Sequence, residues 1–428
     1  MTSVFDEFKW RGLVYDHTDG VPDILAKEKI SVYNGFDPTA DSLHIGNLVP
    51  MMGLARLQRF GHTPIVLAGG GTGMVGDPSG RSTERNLLTR EVIDANVAAQ
   101  KVQLAQLLDF EVKSNPAVIV NNDDWLAPIS MMDFLRDTGK YFTINYMLAK
   151  DSVKSRMDRG DGVSSEGISF TEFSYMLLQA YDFRHLFNSS NCAMQAGGSD
   201  QWGNIIAGVE LIRKSQAQKA YGLVYPLITK ADGSKFGKTA DGAVWLSPEK
   251  TSPYRFYQYW YNADDAEVIN FLRYFTWLNK GEIADLEAML VENPHRRDAQ
   301  KKLAQLMTGM IHGETAVSKA ETASRVLFGG AMDGLDASDI ADIFADVPSS
   351  DVPRSQFADG GLSVVDLLAD SSLANSKGDA KRAIKGGGVY LNNERVALAQ
   401  AVTLDQSIDG KFFILRKGKK KYHLIQLK

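Results

Sequence analysis

The stretch Tyr33-Asn-Gly-Phe-Asp-Pro-Thr-Ala-Asp-Ser-Leu-His44-Ile-Gly46-Asn47 puts a histidine, a glycine and an asparagine at the start of what reads as a helix. His44 and Asn47 are three apart, so they share a helix face. A helix start has unsatisfied backbone N–H groups and the positive end of the dipole, which makes it an anion site. Gly46 has no side chain, so a flat or bulky group can lie against the backbone. Far downstream, Lys230-Ala-Asp-Gly-Ser-Lys235-Phe-Gly-Lys238-Thr239 puts two lysines three apart on a glycine-flanked loop, a composition suited to clamping phosphates. Gly237-Lys238-Thr239 is not the phosphate loop of the nucleoside triphosphatases, because that motif needs glycine where Asp232 stands.

Strands and helices must hold these residues. Ile30 to Phe36 is an apolar run that reads as a buried strand. Pro38 and Asp41-Ser42 mark a turn, and Asp41 or Ser42 is the expected cap of a helix from Leu43 to Phe60. Pro64 to Ala68 is a second strand, opening into a glycine-rich segment. There Gly71, Gly73 and Gly76 match the dinucleotide fingerprint by letter, but the fingerprint needs a helix and Asp77-Pro78-Ser79-Gly80 forces a turn. The glycines are read instead as letting backbone approach a ligand, with Asp77 aimed at a cation. Further strands are expected at 117–120, 192–195 and 223–229, and helices at 92–108, 130–136, 144–150 and 170–186. Residues 1–30 read as helical, and 160–167 as a polar loop without an assigned purpose. Strands alternating with helices predict a mostly parallel sheet.

In the helix over 170–186, Tyr175, Gln179 and Asp182 form one polar stripe beside an apolar face. That stripe is either a solvated face or the wall of a pocket for an ammonium and a hydroxyl. Asp200, in Gly197-Gly198-Ser-Asp200-Gln201-Trp202, stands at a strand-to-helix junction, where a carboxylate accepts from ribose hydroxyls or caps the helix.

A chain of 428 residues should form two to four domains. With 44% hydrophobic and 23% charged residues it reads as a soluble globular protein. No signal peptide and no bilayer-spanning run are expected, and the single cysteine, Cys192, excludes an intramolecular disulfide and fits a cytoplasmic location. The seven histidines are scattered, so no metal ligands are assigned. Twelve cations against four anions from Ser376 to Lys428 give a net +8, leaving −13 on the remainder. A basic tail on an acidic body points to a polyanion, nucleic acid before membrane. Lys377, Lys381 and Lys385 share a helix face with Arg382 beside them, and Lys417, Lys419 and Lys420 lie between the expected strands 411–415 and 421–427, with Lys421 opening the second; all eight are read as RNA contacts.

On His44-Ile-Gly46-Asn47 the chain resembles the class I aminoacyl-tRNA synthetases, whose ATP signature is His-x-Gly-His or His-x-Gly-Asn. The lead-in Gly35-Phe-Asp37-Pro-Thr39-Ala-Asp resembles the bacterial tyrosyl branch. Lys235 to Thr239 resembles the second class I signature in the Lys-Phe-Gly-Lys-Thr form of that branch. The basic tail is similar to the small RNA-binding domain those enzymes share with a ribosomal protein. The resemblance implies a Rossmann-like, mostly parallel α/β catalytic domain over 1–228 and a signature-lysine linker over 229–250. An all-helical anticodon-side domain over 251–330, an acidic linker over 331–361 and a small basic α+β RNA-binding domain over 362–428 would follow.

The same resemblance implies a homodimer that takes ATP with Mg2+, L-tyrosine and its tRNA. Thr39, His44, Lys235, Lys238 and Thr239 would stabilise charge on the phosphates. Gly35, Asp37, Gly46, Asn47, Gly198, Asp200 and Lys238 would bind ATP. Tyr33 and Asp182 would meet a phenol, and Asp77, Tyr175 and Gln179 an ammonium. Asn47 stands where many such enzymes carry histidine; it donates a hydrogen bond but cannot be charged. Rival readings are a tryptophanyl-type synthetase, a nicotinamide oxidoreductase resting on Gly71 to Gly76, and a non-catalytic RNA-binding protein derived from a synthetase.

Overall fold

The run Pro64-Ile-Val-Leu-Ala68 has no polar residue on either face, as befits a parallel strand covered on both sides. The computed structural model describes residues 3–77, 88–150, 153–154, 168–229, 236–239, 242–326, 335–345, 347–358, 360–418 and 421–428. The loop expected at 160–167 lies outside these residues. In chain order, α1 (Val4–Arg11), β1 (Asp16–His17) and α2 (Val21–Lys27) precede β2 (Ser31–Phe36). α3 (Leu48–Arg59) leads to β3 (Thr63–Ala68), then α4 (Gly70–Gly73), α5 (Arg90–Leu104) and β4 (Val118–Asn121). α6 (Asp123–Leu126), α7 (Met131–Asp137) and α8 (Ile144–Leu148) are short. The long α9 (Phe170–Ser190) follows, then β5 (Cys192–Gly198), α10 (Trp202–Gln216), β6 (Tyr221–Tyr225) and the hairpin β7 (Lys238–Thr239) and β8 (Gly242–Ala243).

The main sheet has the order β1-β6-β5-β2-β3-β4. Its neighbours are parallel except β1, an antiparallel edge on β6. This two-residue strand was unexpected in a segment read as helical. From β2 the chain steps outward through β3 and β4, then returns beside β2 as β5 and leaves the other way through β6. The carboxyl ends of β2 and β5 therefore form a topological switch point, where open α/β sheets bind ligands. Tyr33, Ile65 and Leu67 of the sheet pack with Phe183 and Leu186 of α9 and Ile212 of α10. Gly208 of α10 permits that layer, since a Cβ there would lie 2.8 Å from the Phe183 ring. Cys192 is buried, and burial pushes its thiol pKa up to about 12, so it is filler.

The chain divides into two compact units, Met1–Lys250 with Ala263–Ala299, and Thr251–Asn262 with Gln300–Lys428. α11 (Pro253–Tyr261) lies in the second, while α12 (Val268–Phe275) and α13 (Lys280–Glu292) return to the first. α14 (Asp298–His312) begins in the first and continues into the second, which also holds α15 (Glu314–Val326). The helices read as one domain over 251–330 are thus shared out. α12 is tied to its unit by two buried guanidinium groups. Arg11 Nη1 donates to the carbonyls of Arg273 (2.8 Å) and Thr276 (3.1 Å), and Nη2 to that of Leu278 (2.8 Å). Arg56 Nη2 donates to the Thr276 carbonyl at 3.0 Å. Cations at a helix's carboxyl end also complement its dipole.

The second unit continues with α16 (Ala337–Ile343), β9 (Ser349–Val352), β10 (Leu362–Ser363), α17 (Val364–Asp370) and α18 (Lys377–Lys385). It ends with β11 (Val389–Leu391), β12 (Glu394–Arg395), β13 (Ala401–Val402), β14 (Phe412–Lys417) and β15 (Lys421–Leu427). A five-stranded sheet runs β12-β11-β14-β15-β9. Asn392 and Asn393, at φ 47° and 64°, make the β11–β12 turn. The stretch read as an acidic linker is built into this unit. Ile340, Ile343 and Phe344 bury against Ala323, Val326, Ile414, Tyr422 and Leu424, and β9 pairs parallel with β15. Apolar residues at i, i+3 and i+4 pack this segment despite the acidic residues and prolines around them.

His62 is fully buried and its Nδ1 accepts the Ile30 amide at 3.4 Å. Burial, with Lys29 adding to it, pushes its pKa down to about 4. The unfolded chain therefore binds this proton below the ordinary histidine range while the folded chain does not. Stability from this site should be complete above about pH 6.5 and decline as pH falls toward 4. Urea midpoints measured from pH 8 to 5 should fall, and less steeply in His62→Asn; equal slopes would exclude His62 as the cause.

Candidate active site

His44 does not sit inside a helix but caps a single 3-10 turn, Ile45–Asn47, that precedes α3. Its Nδ1 accepts from the Gly46 amide (3.0 Å), and Asn47 Oδ1 accepts from the His44 amide (3.0 Å). With Nδ1 an acceptor, the neutral ring carries its proton on Nε2. Gly46 has a local reason too: a Cβ there would lie 2.8 Å from His44 Cε1. Neither Asp41 nor Ser42 caps the helix. Ser42 Oγ donates to the Leu43 carbonyl and accepts from Gln103 Nε2, and Gln103 Oε1 takes the Leu43 amide. Leu43 to Ile45 are held extended because the Ile45 amide donates to Val244 (3.0 Å) and the Leu246 amide to Leu43 (2.8 Å).

The second signature runs beside the first. Lys235 lies outside the described residues, and only the backbone of Lys238 and Thr239 is described, in β7. Gly237 has φ +86°, and a Cβ on it would lie 3.1 Å from Ile45 Cγ1 and 3.2 Å from the Gly46 amide nitrogen. The Val244 amide donates to the Gly237 carbonyl at 3.0 Å. Segments far apart in the chain are thus in backbone contact within the first unit.

The polar stripe of α9 is not solvated. Asp182 is 1% exposed; its Oδ1 accepts from Trp125 Nε1 (2.8 Å) and its Oδ2 from Asn122 Nδ2 (2.9 Å). Burial pushes its pKa up to about 7; the Asn122 and Trp125 donors pull it down and Asp37 adds to the rise. Tyr33 is buried from β2, its ring 5.3 Å from Phe183, and burial and then Asp182 hold its hydroxyl protonated. Tyr175 is also buried, and burial followed by Asp37, Asp77 and Asp182 raises its pKa, while a hydrogen bond with Thr72 lowers it. Asn122 links the two ends, since its Nδ2 also donates to Thr72 Oγ1 (2.9 Å). Asp37, Asp77 and Asp182 all bear on Tyr175, and Asp182 on Tyr33, an acid-rich setting suited to a cation and a hydroxyl donor.

Gln179 and Asp77 meet through Gln201. Gln179 Nε2 donates to Gln201 Oε1 (3.2 Å), and Gln201 Nε2 donates to Asp77 Oδ2 (2.8 Å). Gln201 Nε2 also lies 3.4 Å from Asp200 Oδ2, and Asn204 Nδ2 donates to Gln179 Oε1 (3.0 Å). Asp200 and Gly198 stand at the end of β5, and Gly35 and Asp37 at the end of β2, across the switch point. Sequence reasoning assigned no role to Thr72, Asn122, Trp125, Gln201 or Asn204. The polar run after β4 and the amide beside Asp200 were the available signals. A helical turn does open at Gly70–Gly73, against the expectation of a turn alone, and its amides at Gly71 and Thr72 donate to Asn122 Oδ1.

The basic residues belong to the second unit. Lys377, Lys381, Arg382 and Lys385 are all exposed, but they are not equivalent. Lys377 pairs with Asp366 (2.7 Å), Lys417 with Asp379 (2.9 Å), and Arg382 approaches Asp379 at 3.9 Å. Lys381, Lys385 and Lys421 have no ion pair among the described residues, and Lys419 and Lys420 lie outside them.

A family model described as tRNA synthetases class I (W and Y) matches residues 25–329, and one for the C-terminal domain of tyrosine–tRNA ligases matches 339–425. A tyrosine–tRNA ligase of Roseiflexus castenholzii is 59% identical over 428 residues, covering 100% of both chains. One of Bacillus caldotenax is 50% identical over 424 residues, covering 98% of each. The crystal structure of a C-terminally truncated mitochondrial tyrosyl-tRNA synthetase of Aspergillus nidulans superposes with TM-score 0.68 at 32% identity, over 77% of this chain and 95% of that one. The chain belongs to the tyrosyl branch of the class I aminoacyl-tRNA synthetases. In this synthetase the family's two signatures are the segments joined at Gly46 and Gly237. No helix among the described residues is long and apolar enough to cross a membrane.

The Asp182 carboxyl of this synthetase should titrate near pH 7 in the unliganded protein, followed by its infrared carboxylate band. Asn122→Ala removes an N–H donor to the ionised form, so the midpoint should move upward. A midpoint in the ordinary aspartate range, or a downward move, would contradict this account of the pocket.

Proposed function

We propose that the chain activates L-tyrosine with ATP and then charges tRNA. A tyrosine carboxylate oxygen attacks the α-phosphorus, and the bond to the oxygen bridging to the β-phosphate breaks. Pyrophosphate leaves with the electron pair and tyrosyl-adenylate remains. A hydroxyl of the tRNA's terminal ribose then attacks the tyrosyl carbonyl and displaces AMP. The first step needs no protein nucleophile or general base, because the substrate carboxylate is already the nucleophile. Catalysis comes from donors that engage the phosphates more strongly as the bond breaks. Thr39, His44, Lys235, Lys238 and Thr239 are our candidates, with magnesium arriving on the nucleotide as part of the substrate. Gly35, Asp37, Gly46, Asn47, Gly198, Asp200 and Lys238 hold the nucleotide. Asn47 Oδ1 is committed to the His44 amide, which leaves its amide N–H2 as the donor toward ATP.

The observation that carries this reading is the contact of Gly237 with Ile45 and Gly46, which joins the lysine segment to the His44 turn. The buried Asp182 favours tyrosine over tryptophan. A carboxylate fixed by Asn122 and Trp125 beside the protonated Tyr33 presents an acceptor to a phenol, and the C-terminal family match is to tyrosine–tRNA ligases. Asp77, Tyr175 and Gln179 hold the ammonium. A homodimer fits the family likeness, and the exposed apolar side chains Met131, Met132, Leu135, Ile144 and Phe170 of the first unit are available for such a contact. We assign the reaction to the cytoplasm and the basic C-terminal surface to the tRNA backbone.

Two outcomes follow. Removing the acceptor from a site built around a hydroxyl leaves the tyrosine O–H unpaired, which costs about 1–3 kcal/mol. Asp182→Ala should lower the preference for tyrosine over phenylalanine in pyrophosphate exchange by roughly ten- to a hundred-fold. In the parent protein the preference should weaken as pH falls below about 7, because Asp182 then protonates. An unchanged ratio would exclude the pocket. For RNA, Lys381→Glu with Lys385→Glu should weaken charging and reduce its salt dependence by about one logarithmic unit per lost contact. Pyrophosphate exchange should not change, and Lys377→Glu should matter less because Asp366 already pairs it. These point substitutions are cleaner than truncation near residue 350, which would uncover Ile340, Ile343 and Phe344.

A further inference from the structure

Phe236 lies between the two signature lysines, Lys235 and Lys238. It is 8% exposed. Its ring stacks on Phe275 at 5.4 Å with an interplanar angle of 10°, and meets Phe271 at 5.2 Å and 54°. Both partners are on α12, in the segment that returns to the first unit. The next residue, Gly237, lies against Ile45 and Gly46. Two consecutive residues of the lysine segment are therefore held from two sides, the ring by α12 and the backbone by the His44 turn.

α12 is itself held in place. Arg11 and Arg56 donate to the carbonyls of Arg273, Thr276 and Leu278 at its end. Arg56 belongs to α3, the helix that starts right after Asn47. A continuous circuit results, from Asn47 along α3 to Arg56, across to α12, through Phe271 and Phe275 to Phe236, and by Gly237 back to Gly46. The lysine segment is thus referenced to the first signature through rigid helices as well as by direct contact.

We propose that Phe236 is a positioning residue for adenylate formation, its ring seated on Phe271 and Phe275 fixing where the lysine-bearing chain runs beside the His44 turn. This rests on the adenylate-forming reading above. The ring acts through Lys235 and Lys238, so its loss should alter the rate of the chemical step and spare the tyrosine pocket. A displacement of about 1 Å in positioned groups costs on the order of a hundred-fold in rate.

The test is tyrosine-dependent pyrophosphate exchange and tyrosine binding with the full-length protein. Phe236→Ala should lower kcat for exchange about ten- to a hundred-fold while the tyrosine Kd, measured below the variant's thermal midpoint, stays near that of the parent. Phe236→Leu, still apolar, should recover much of the rate, and Phe236→Ser should not. Phe271→Leu should slow exchange in the parent but add little to Phe236→Ala, because the two act through one contact. Parental exchange by Phe236→Ala, additive losses in the pair, or a fall in tyrosine affinity equal to the fall in rate would each overturn the proposal. Absence of tyrosine-dependent exchange in the parent protein would instead refute the adenylate reading on which it rests.

Discussion

Two backbones approach each other at Gly46 and Gly237, and the catalytic reading depends on that approach. Any side chain at 237 would press on Ile45 Cγ1 and the Gly46 amide at 3.1 and 3.2 Å, and φ +86° disfavours other residues there as well. At Gly46 the crowding comes from the same turn, where the His44 ring folds back over its own chain. The extended pairing of Leu43 to Ile45 with Val244 to Leu246 places the downstream chain against the turn. The His44 turn and the backbone of the lysine segment at Gly237 are thereby neighbours.

The switch-point pocket is anionic, with Asp37, Asp77 and Asp182 acting together on Tyr175. Such a pocket favours an ammonium and keeps phenols protonated. The groups proposed for the phosphates belong instead to the His44 turn and to the segment around Gly237. Asp182 spans both roles of a buried carboxylate. Burial alone would leave it neutral near physiological pH, and the N–H donors of Asn122 and Trp125 restore part of its preference for the ionised form. Those two residues thus tune the protonation of Asp182, although no local motif marks them.

The second unit sorts charge differently. Its basic surface contains cations already engaged by Asp366 and Asp379, so the formal count of twelve overstates what a polyanion would meet. The acidic stretch before it belongs to the same unit, contributing α16 and β9. Charge runs in this chain mark surfaces, and the apolar residues between them decide where chain is packed.

Local chemistry was legible in the chain. The apolar runs at 30–36 and 64–68 and the i, i+4, i+7 stripe of Tyr175, Gln179 and Asp182 stand where short-range pattern puts them. These follow from residue type and spacing, which act over a few residues. What the linear order could not supply were partnerships across long separations. Examples are Asn122 and Trp125 on Asp182, Gln201 between Asp77 and Gln179, and Gly237 against Gly46. The return of α12 to the first unit, where Phe271 and Phe275 receive Phe236, is of the same kind. Hydrogen bonds and ring contacts reach only a few ångströms, so which distant residues share them is settled when sheet order and helix packing bring the chain together.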